Sequence, residues 1–147
     1  GSCVYLWSAC TSKVTKLCDL GPDDTITSVS WTQNGQHLAV GTNLGDVQIW
    51  DAIRCKKVRT MCGHSARVGT MCWNAHVLAS GSRDRLIYQR DVRASAQYLS
   101  KLVGHKQEVC GLRWSFDDQQ LAFRGAFGVA QRLLVGVGVI ALYRIFD

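Results

Sequence analysis

Apolar and polar residues alternate in short runs along most of the chain, as in Val4-Tyr-Leu-Trp7 and Val47-Gln-Ile-Trp50. The runs are rich in β-branched and aromatic residues and end at Gly, Asn or Asp, which predicts short β-strands joined by tight turns. Asn34-Gly35 is a hairpin signal, because both residues tolerate positive φ. A helix would need apolar positions three and four apart over about a dozen residues. No such stretch occurs before Gln131.

The strand pattern repeats. Gly63-His64 returns as Gly104-His105, 41 positions later, and Trp31, Trp73 and Trp114 are spaced by 42 and 41. Ile26, Val68 and Val109 each stand five residues before one of these tryptophans, and Val29, Met71 and Leu112 two before. Val47-Gln-Ile-Trp-Asp51 is echoed by Ile87-Tyr-Gln-Arg-Asp91, and Leu38-Ala-Val-Gly-Thr42 by Leu78-Ala-Ser-Gly-Ser82, each 40 residues on. A period of about 40 to 45 residues with these signatures is that of WD40 β-propeller blades, each a four-stranded antiparallel sheet. The fold class is therefore all-β, a propeller fragment of about two and a half to three blades out of an expected seven.

On this reading residues 3–8 form the last strand of one blade, 24–51 a second blade, 66–91 a third and 107–122 the start of a fourth. A seven-blade ring needs roughly 280 to 300 residues at this period, so about half a ring is present. At Phe123 the pattern fails, since no Ser-Gly, turn Asp or strand ending in Trp-Asp follows. Residues 123–147 read as a divergent apolar tail of unknown role, a foreign segment after a truncation. Its apolar run, Leu133 to Tyr143, is 11 residues long. A membrane-spanning helix needs about 20, so no membrane partner is expected.

Composition narrows the function classes. Hydrophobic residues make up 47% and charged residues 19% of 147, with one proline, which is ordinary for a globular chain. The net charge of +6 admits an acidic partner, yet Lys56-Lys57 is the densest basic cluster. Nucleic acid is not an expected partner. The seven cysteines, Cys3, Cys10, Cys18, Cys55, Cys62, Cys72 and Cys110, include no C-x-x-C pair, and the count is odd. With no signal peptide at Gly1-Ser2-Cys3, they read as reduced thiols of an intracellular protein. Cys62 and His64 have no second pair at ligand spacing, so no metal site or cofactor is expected.

In a WD40 blade a His before the first strand, a Ser or Thr, a turn Asp and a Trp form a buried hydrogen-bonded chain, which stabilises only if each member is satisfied. In the third blade His64, Ser80 and Asp84 take these places, and Arg90 replaces the Trp. The second blade supplies Thr42 and Trp50, but has Leu44-Gly45 at the turn and Leu20-Gly21-Pro22 instead of Gly-His. His105 opens the fourth. These histidines read as structural, and no Gly-x-Ser-x-Gly elbow occurs, so no catalytic residue is expected. Partner contacts are expected on loops at one end of the blades. The residues before the first strands are Thr25, Arg67 and Glu108, and those before the turn Asp are Asn43 and Arg83. Arg67 and Arg83 suit an acidic motif residue, and Glu108 a basic one; the alternative is that each is solvated or pairs locally.

Gly63-His-Ser-Ala-Arg-Val68, Ser80-Gly-Ser-Arg-Asp84, Gln89-Arg-Asp-Val-Arg93 and Gly104-His-Lys-Gln-Glu-Val-Cys-Gly-Leu-Arg-Trp114 resemble the Fizzy and Fizzy-related proteins. Cys3-Val-Tyr-Leu-Trp-Ser-Ala9 and Val47-Gln-Ile-Trp-Asp51 fit the same family, and Arg83-Asp-Arg85 with Gln89-Arg90 lean toward the Fizzy-related branch. The resemblance covers residues 1 to about 122. It implies a co-activator of the anaphase-promoting complex, a ubiquitin ligase of the cell cycle, acting in nucleus and cytoplasm. Such proteins do not transfer ubiquitin; they present degron-bearing substrates to the ligase subunits. The family reads a destruction box between the first and last blades, a KEN motif on the top face, and a further motif between the second and third blades. Here the last blades and both ligase-docking ends are absent, and Asp147 stands where the family ends in Ile-Arg. The second-to-third groove and part of the top face are what this chain retains. A generic WD40 scaffold and a truncated, non-functional product are the rival readings.

A half-ring leaves blade faces and strand edges uncovered. The isolated chain is expected to be marginally stable or to self-associate, which sedimentation across a concentration series and thermal melting check. A sharp cooperative melt of a monomer contradicts it.

Overall fold

A computed structural model of the chain describes residues 1–95, 97–125, 130–136 and 139–144. Every regular element among these residues is a β-strand, and none is a helix able to cross a membrane. Strands β1 (Cys3–Ser8) and β2 (Lys13–Asp19) make a two-stranded sheet. Three four-stranded sheets follow in chain order. The second holds β3 (Ile26–Trp31), β4 (His37–Thr42), β5 (Val47–Asp51) and β6 (Lys56–Met61). The third holds β7 (Val68–Asn74), β8 (Val77–Ser82), β9 (Ile87–Asp91) and β10 (Ser100–Leu102). The fourth holds β11 (Val109–Trp114), β12 (Gln120–Gly125), β13 (Ala130–Gly136) and β14 (Val139–Arg144). Within each sheet every strand pairs antiparallel with its neighbour in sequence, and β3, β7 and β11 each carry a bulge near the start, as between Val68 and Thr70.

The sheets stack because the second strands bury both faces. Successive residues of a strand point to opposite sides. In β4, Leu38 and Val40 pack with Val4, Leu17 and Cys18 of the first sheet, while Ala39 between them packs with Val68, Met71 and Trp73 of the third. In β8, Leu78 faces the second sheet and Ala79 the fourth, where Val109, Leu121 and Phe123 meet it. Polar groups clip the stack. Thr27 Oγ1 and Ser28 Oγ donate to the Val68 carbonyl at 2.7 and 2.6 Å, and Trp73 Nε1 to the Ser30 carbonyl at 3.0 Å.

Two glycines set how closely the sheets approach. A Cβ on Gly41 would lie 3.0 Å from Val68 Cβ, and one on Gly81 would lie 2.6 Å from Val109 Cγ1. Each glycine thus seats the first residue of the next sheet, which explains why Leu-Ala-x-Gly recurs with the repeat.

The strand assignment differs from the sequence reading at the outer edges. β2, β6 and β10 lie outside the assigned spans, because outer strands such as Lys56-Lys-Val-Arg-Thr-Met61 are largely exposed and lose their alternation. The fourth blade does not stop at Ala122. β12 continues to Gly125, with Phe123 only 4% exposed, and two further strands extend its sheet. The rest of the tail, 126–129, 137–138 and 145–147, lies outside the described residues.

Gly81→Ala is expected to lower stability by about 1–3 kcal/mol, the usual penalty of overpacking a close-packed contact. Gly111→Ala, whose Cβ would meet only Arg124 Cβ at 3.6 Å, is the control and should change the denaturation midpoint little.

Candidate functional site

The third sheet holds a polar chain. His64 precedes β7, Ser80 lies in β8, and Asp84 occupies the β8–β9 turn. His64 Nε2 is 2.9 Å from Ser80 Oγ, and its Nδ1 is 2.9 Å from Asp84 Oδ2. Asp84 also accepts from Ser65 N–H at 3.0 Å and Leu86 N–H at 2.9 Å. The neutral ring fits both contacts, Nδ1–H donating to the carboxylate and the Ser80 hydroxyl donating to Nε2. Burial pushes the His64 pKa below its ordinary value, and this outweighs the upward pull of Asp84. Burial pushes Asp84 up, yet its bonds from Leu86 N–H, His64 and Ser65 N–H hold it below its ordinary value. The three side chains have the order of a hydrolytic triad, but Ser80 is 1% exposed and a substrate carbonyl cannot reach it.

Arg90, in the Trp position, does not join this chain. Its guanidinium, 1% exposed, donates to the Met61 and Cys62 carbonyls at 3.4 and 3.1 Å and lies 4.6 Å from the Tyr88 ring centroid. It ties the end of the second sheet to the third. The Tyr88 ring also meets His64 edge-on at 4.7 Å.

The other sheets lack this network. Thr42 and Trp50 do not bond to each other: Thr42 Oγ1 accepts from Asp46 N–H at 3.1 Å, and Trp50 Nε1 donates to Gln48 at 3.0 Å. The register shows why. Val29 faces Val40 as Met71 faces Ser80, so Val40 occupies the hydroxyl position, and Thr42 corresponds to Ser82. Ser82 is itself a turn group, accepting from Asp84 N–H at 3.1 Å and donating to the Ala66 carbonyl at 3.0 Å. His105 likewise sits outside any hydrogen-bonded chain. Phe123 pairs with Leu112 in the place of Ser80, so His105 Nε2 is buried without a partner among the described residues. The ring packs edge-on against Phe123 at 4.7 Å, and burial lowers its pKa.

The rim residues gather at one end of the sheets. Asn43 N–H donates to the Thr25 carbonyl at 2.8 Å, and Arg83 N–H to the Arg67 carbonyl at 3.1 Å, so each pair sits side by side. Arg67 Nε and Nη2 each reach a Glu108 oxygen at 2.8 Å, a two-pronged pair across the third and fourth sheets. This is the local pairing that stood as the alternative for these two residues, although the Arg67 side chain remains 46% exposed. Arg83 is exposed and has no ion-pair partner among the described residues.

The family resemblance pointed to a groove between the second and third blades but named none of its residues, and the structure places them at the opposite end of the sheets. A cavity of about 520 Å³ opens between the second and third sheets, floored by Ile49, Trp73 and Val92 and flanked by Arg59, His76 and Arg93. Arg59 forms one wall by donating to the Val92 carbonyl at 3.3 Å and to the Ala94 carbonyl. No carboxylate lines it among the described residues. Its members come from four strands and three turns, so no local stretch of sequence marks it.

Stacked four-stranded sheets with a buried His–Ser–Asp chain define this as part of a WD40 β-propeller. The family model described as WDR19 first beta-propeller matches residues 1–98, and the WD domain, G-beta repeat model matches residues 96–123. The chain is 63% identical over 125 residues to "B-type cell cycle switch protein ccs52A" of Medicago truncatula and 62% identical to "Protein FIZZY-RELATED 2" of Arabidopsis thaliana. Each alignment covers 85% of this chain and 26% of the relative. A chain of the solved "Crystal Structure of Mitotic Checkpoint Complex" superposes with TM-score 0.90 at 39% identity, covering 97% of this chain and 44% of that one. The chain belongs to the Fizzy and Fizzy-related family, and it spans about a quarter of the length of the curated relatives it matches.

His64 and the half-buried His105 have lowered folded-state pKa values, so the unfolded chain binds more protons as pH falls through the ordinary histidine value of about 6.5. Stability is expected to be full above about pH 7 and to fall toward pH 5, read by thermal midpoints across that range. His105→Leu should remove part of the fall at little cost to stability. His64→Leu should lower stability by about 2–3 kcal/mol at pH 7.5, because Asp84 and Ser80 lose a buried partner.

Proposed function

We propose that this chain is part of the substrate-recognition propeller of an anaphase-promoting complex co-activator, which captures degron motifs and presents their bearers to the ligase during the cell cycle. The identity of 63% over 125 residues to a protein named as a cell cycle switch carries the reading. A relative from Dictyostelium discoideum, named "Anaphase-promoting complex subunit cdh1", adds to it at 49% identity over 124 residues. The relatives are adaptors, and this chain acts as one: its triad-like side chains are sealed in the blade and serve stability. Its partners are ligase subunits and degron-bearing proteins, and its place is the nucleus and cytoplasm.

The geometry supports two peptide contacts. The cleft between the second and third sheets offers an apolar floor and a basic flank, which suits an extended motif with an apolar anchor and an acidic neighbour. At the other end Arg83 is the exposed cation beside a fixed Arg67–Glu108 pair. The destruction-box groove involves a blade that these residues do not include.

Fluorescence anisotropy with three labelled peptides (destruction box, KEN and the inter-blade motif) tests this. Val58 of β6 also lines the cleft, and the inter-blade peptide should bind and lose at least about tenfold in affinity on Val58→Glu, about 1.4 kcal/mol. Arg83→Glu should weaken the KEN peptide by a similar factor, and the destruction-box peptide should not bind. Failure of all three peptides to bind the folded chain would sink the proposal.

A further inference from the structure

The outer strand of the second sheet breaks its own alternation. Arg59 of β6 pairs with Ile49 and Lys57 with Trp50, so Val58 between them has no partner in the register and bulges. β9 and β10, the corresponding pair of the third sheet, run in unbroken register. A regular strand sends consecutive side chains to opposite faces, and a bulge re-aims one of them. Here Val58 and Arg59 both line the cleft between the second and third sheets. An apolar contact and a cation therefore stand side by side next to Ile49 of its floor.

The Arg59 guanidinium is held from one end. Its Nη1 donates to the Val92 carbonyl at 3.3 Å and to the Ala94 carbonyl, on either side of Arg93. Nε and Nη2 form the edge that forks onto an oxyanion, and they have no partner among the described residues. Arg93 lines the same cleft and meets Asp91 through Nε and Nη2 at 3.2 and 3.0 Å, which leaves its Nη1 free for a second contact. Val92 N–H donates to the His76 carbonyl at 3.1 Å, so His76 joins the same corner. The corner is basic on three residues, and Asp91 lies outside the lining.

Granted that the cleft is the peptide groove proposed above, we propose that its acidic position is read best as a phosphoserine or phosphothreonine, with Arg59 setting that preference. A carboxylate has two oxygens and one charge, which the Arg59 edge alone uses up. A phosphate carries three acceptor oxygens and a charge of about −1.5 to −2. It can fill the Arg59 edge and offer a further oxygen to Arg93. Val58, Ile49 and Trp73 take the apolar residue beside it.

Serine, aspartate and phosphoserine forms of the labelled inter-blade peptide, varied at the acidic position, test this by anisotropy on the full chain. The phosphoserine form should bind at least about tenfold tighter than the serine form, with aspartate between them. Arg59→Gln should bring the phosphoserine-to-serine ratio near one. Arg59→Lys keeps the charge but loses the fork, and should keep only part of the ratio. Arg93→Gln leaves the tether of Arg59 in place and should lower the ratio in a chain of unchanged thermal midpoint. Equal affinities of the three forms, all weakened by Val58→Glu, would overturn the preference and leave the peptide groove standing. No binding of any form would overturn both. A phosphoserine gain that survives Arg59→Gln and vanishes on Arg83→Glu would put the phosphate at the other end of the sheets, which also rules the preference out.

Discussion

The close seating of one sheet's first strand on the glycine of the preceding sheet is the constraint from which the other features follow. Gly41 and Gly81 bring the backbone of one sheet against Val68 and Val109 of the next. At that separation the alternating side chains of β4 and β8 fill the space on both sides, so Leu38, Ala39, Val40, Leu78 and Ala79 are essentially removed from water. Each of the leucine and valine side chains contributes about 1.5–3 kcal/mol relative to exposure, and the alanine methyls less. The stack is therefore held by its middle strands. Its ends, where turns meet solvent, are left to vary.

The polar chain of the third sheet is a second tier. It joins the loop before β7 to the β8–β9 turn, fixing the rim on which Arg67 and Arg83 sit. Its weight is visible where it is broken. In the second sheet Val40 replaces the hydroxyl, and the turn is held by Thr42 and by Leu44 N–H donating to Asp24; in the fourth, Phe123 replaces it and an aromatic contact with His105 stands in for two hydrogen bonds. Arg90 trades the indole hydrogen bond for two carbonyls of the neighbouring connection and the face of Tyr88. A buried cation without a carboxylate is tolerated because its charge spreads over carbonyl oxygens and an aromatic ring.

A recognition role fits this construction. Rigid sheets present short loops at both ends and clefts between neighbours, and an adaptor needs such surfaces more than reactive groups.

Much of the fold was legible in the sequence. The 40-residue spacing of Leu-Ala-x-Gly and of the Trp positions is itself a packing rule, since every sheet meets the same neighbour and needs the same residues there. His64, Ser80 and Asp84 were legible for the same reason. The outer strands were not, because β2, β6 and β10 face solvent and their order comes from pairing with an inner neighbour. The alignment of Val40, and not Thr42, with Ser80 was legible as well, in the 40-residue offset between Leu38-Ala-Val-Gly-Thr42 and Leu78-Ala-Ser-Gly-Ser82, and the strand pairing repeats it. Only the tertiary structure paired Arg67 with Glu108 across sheets, gathered the cleft from four strands, and left His105 without its hydroxyl. Local pattern determines which residues are buried within a repeating unit, and contacts between units decide which charges meet and which faces stay open.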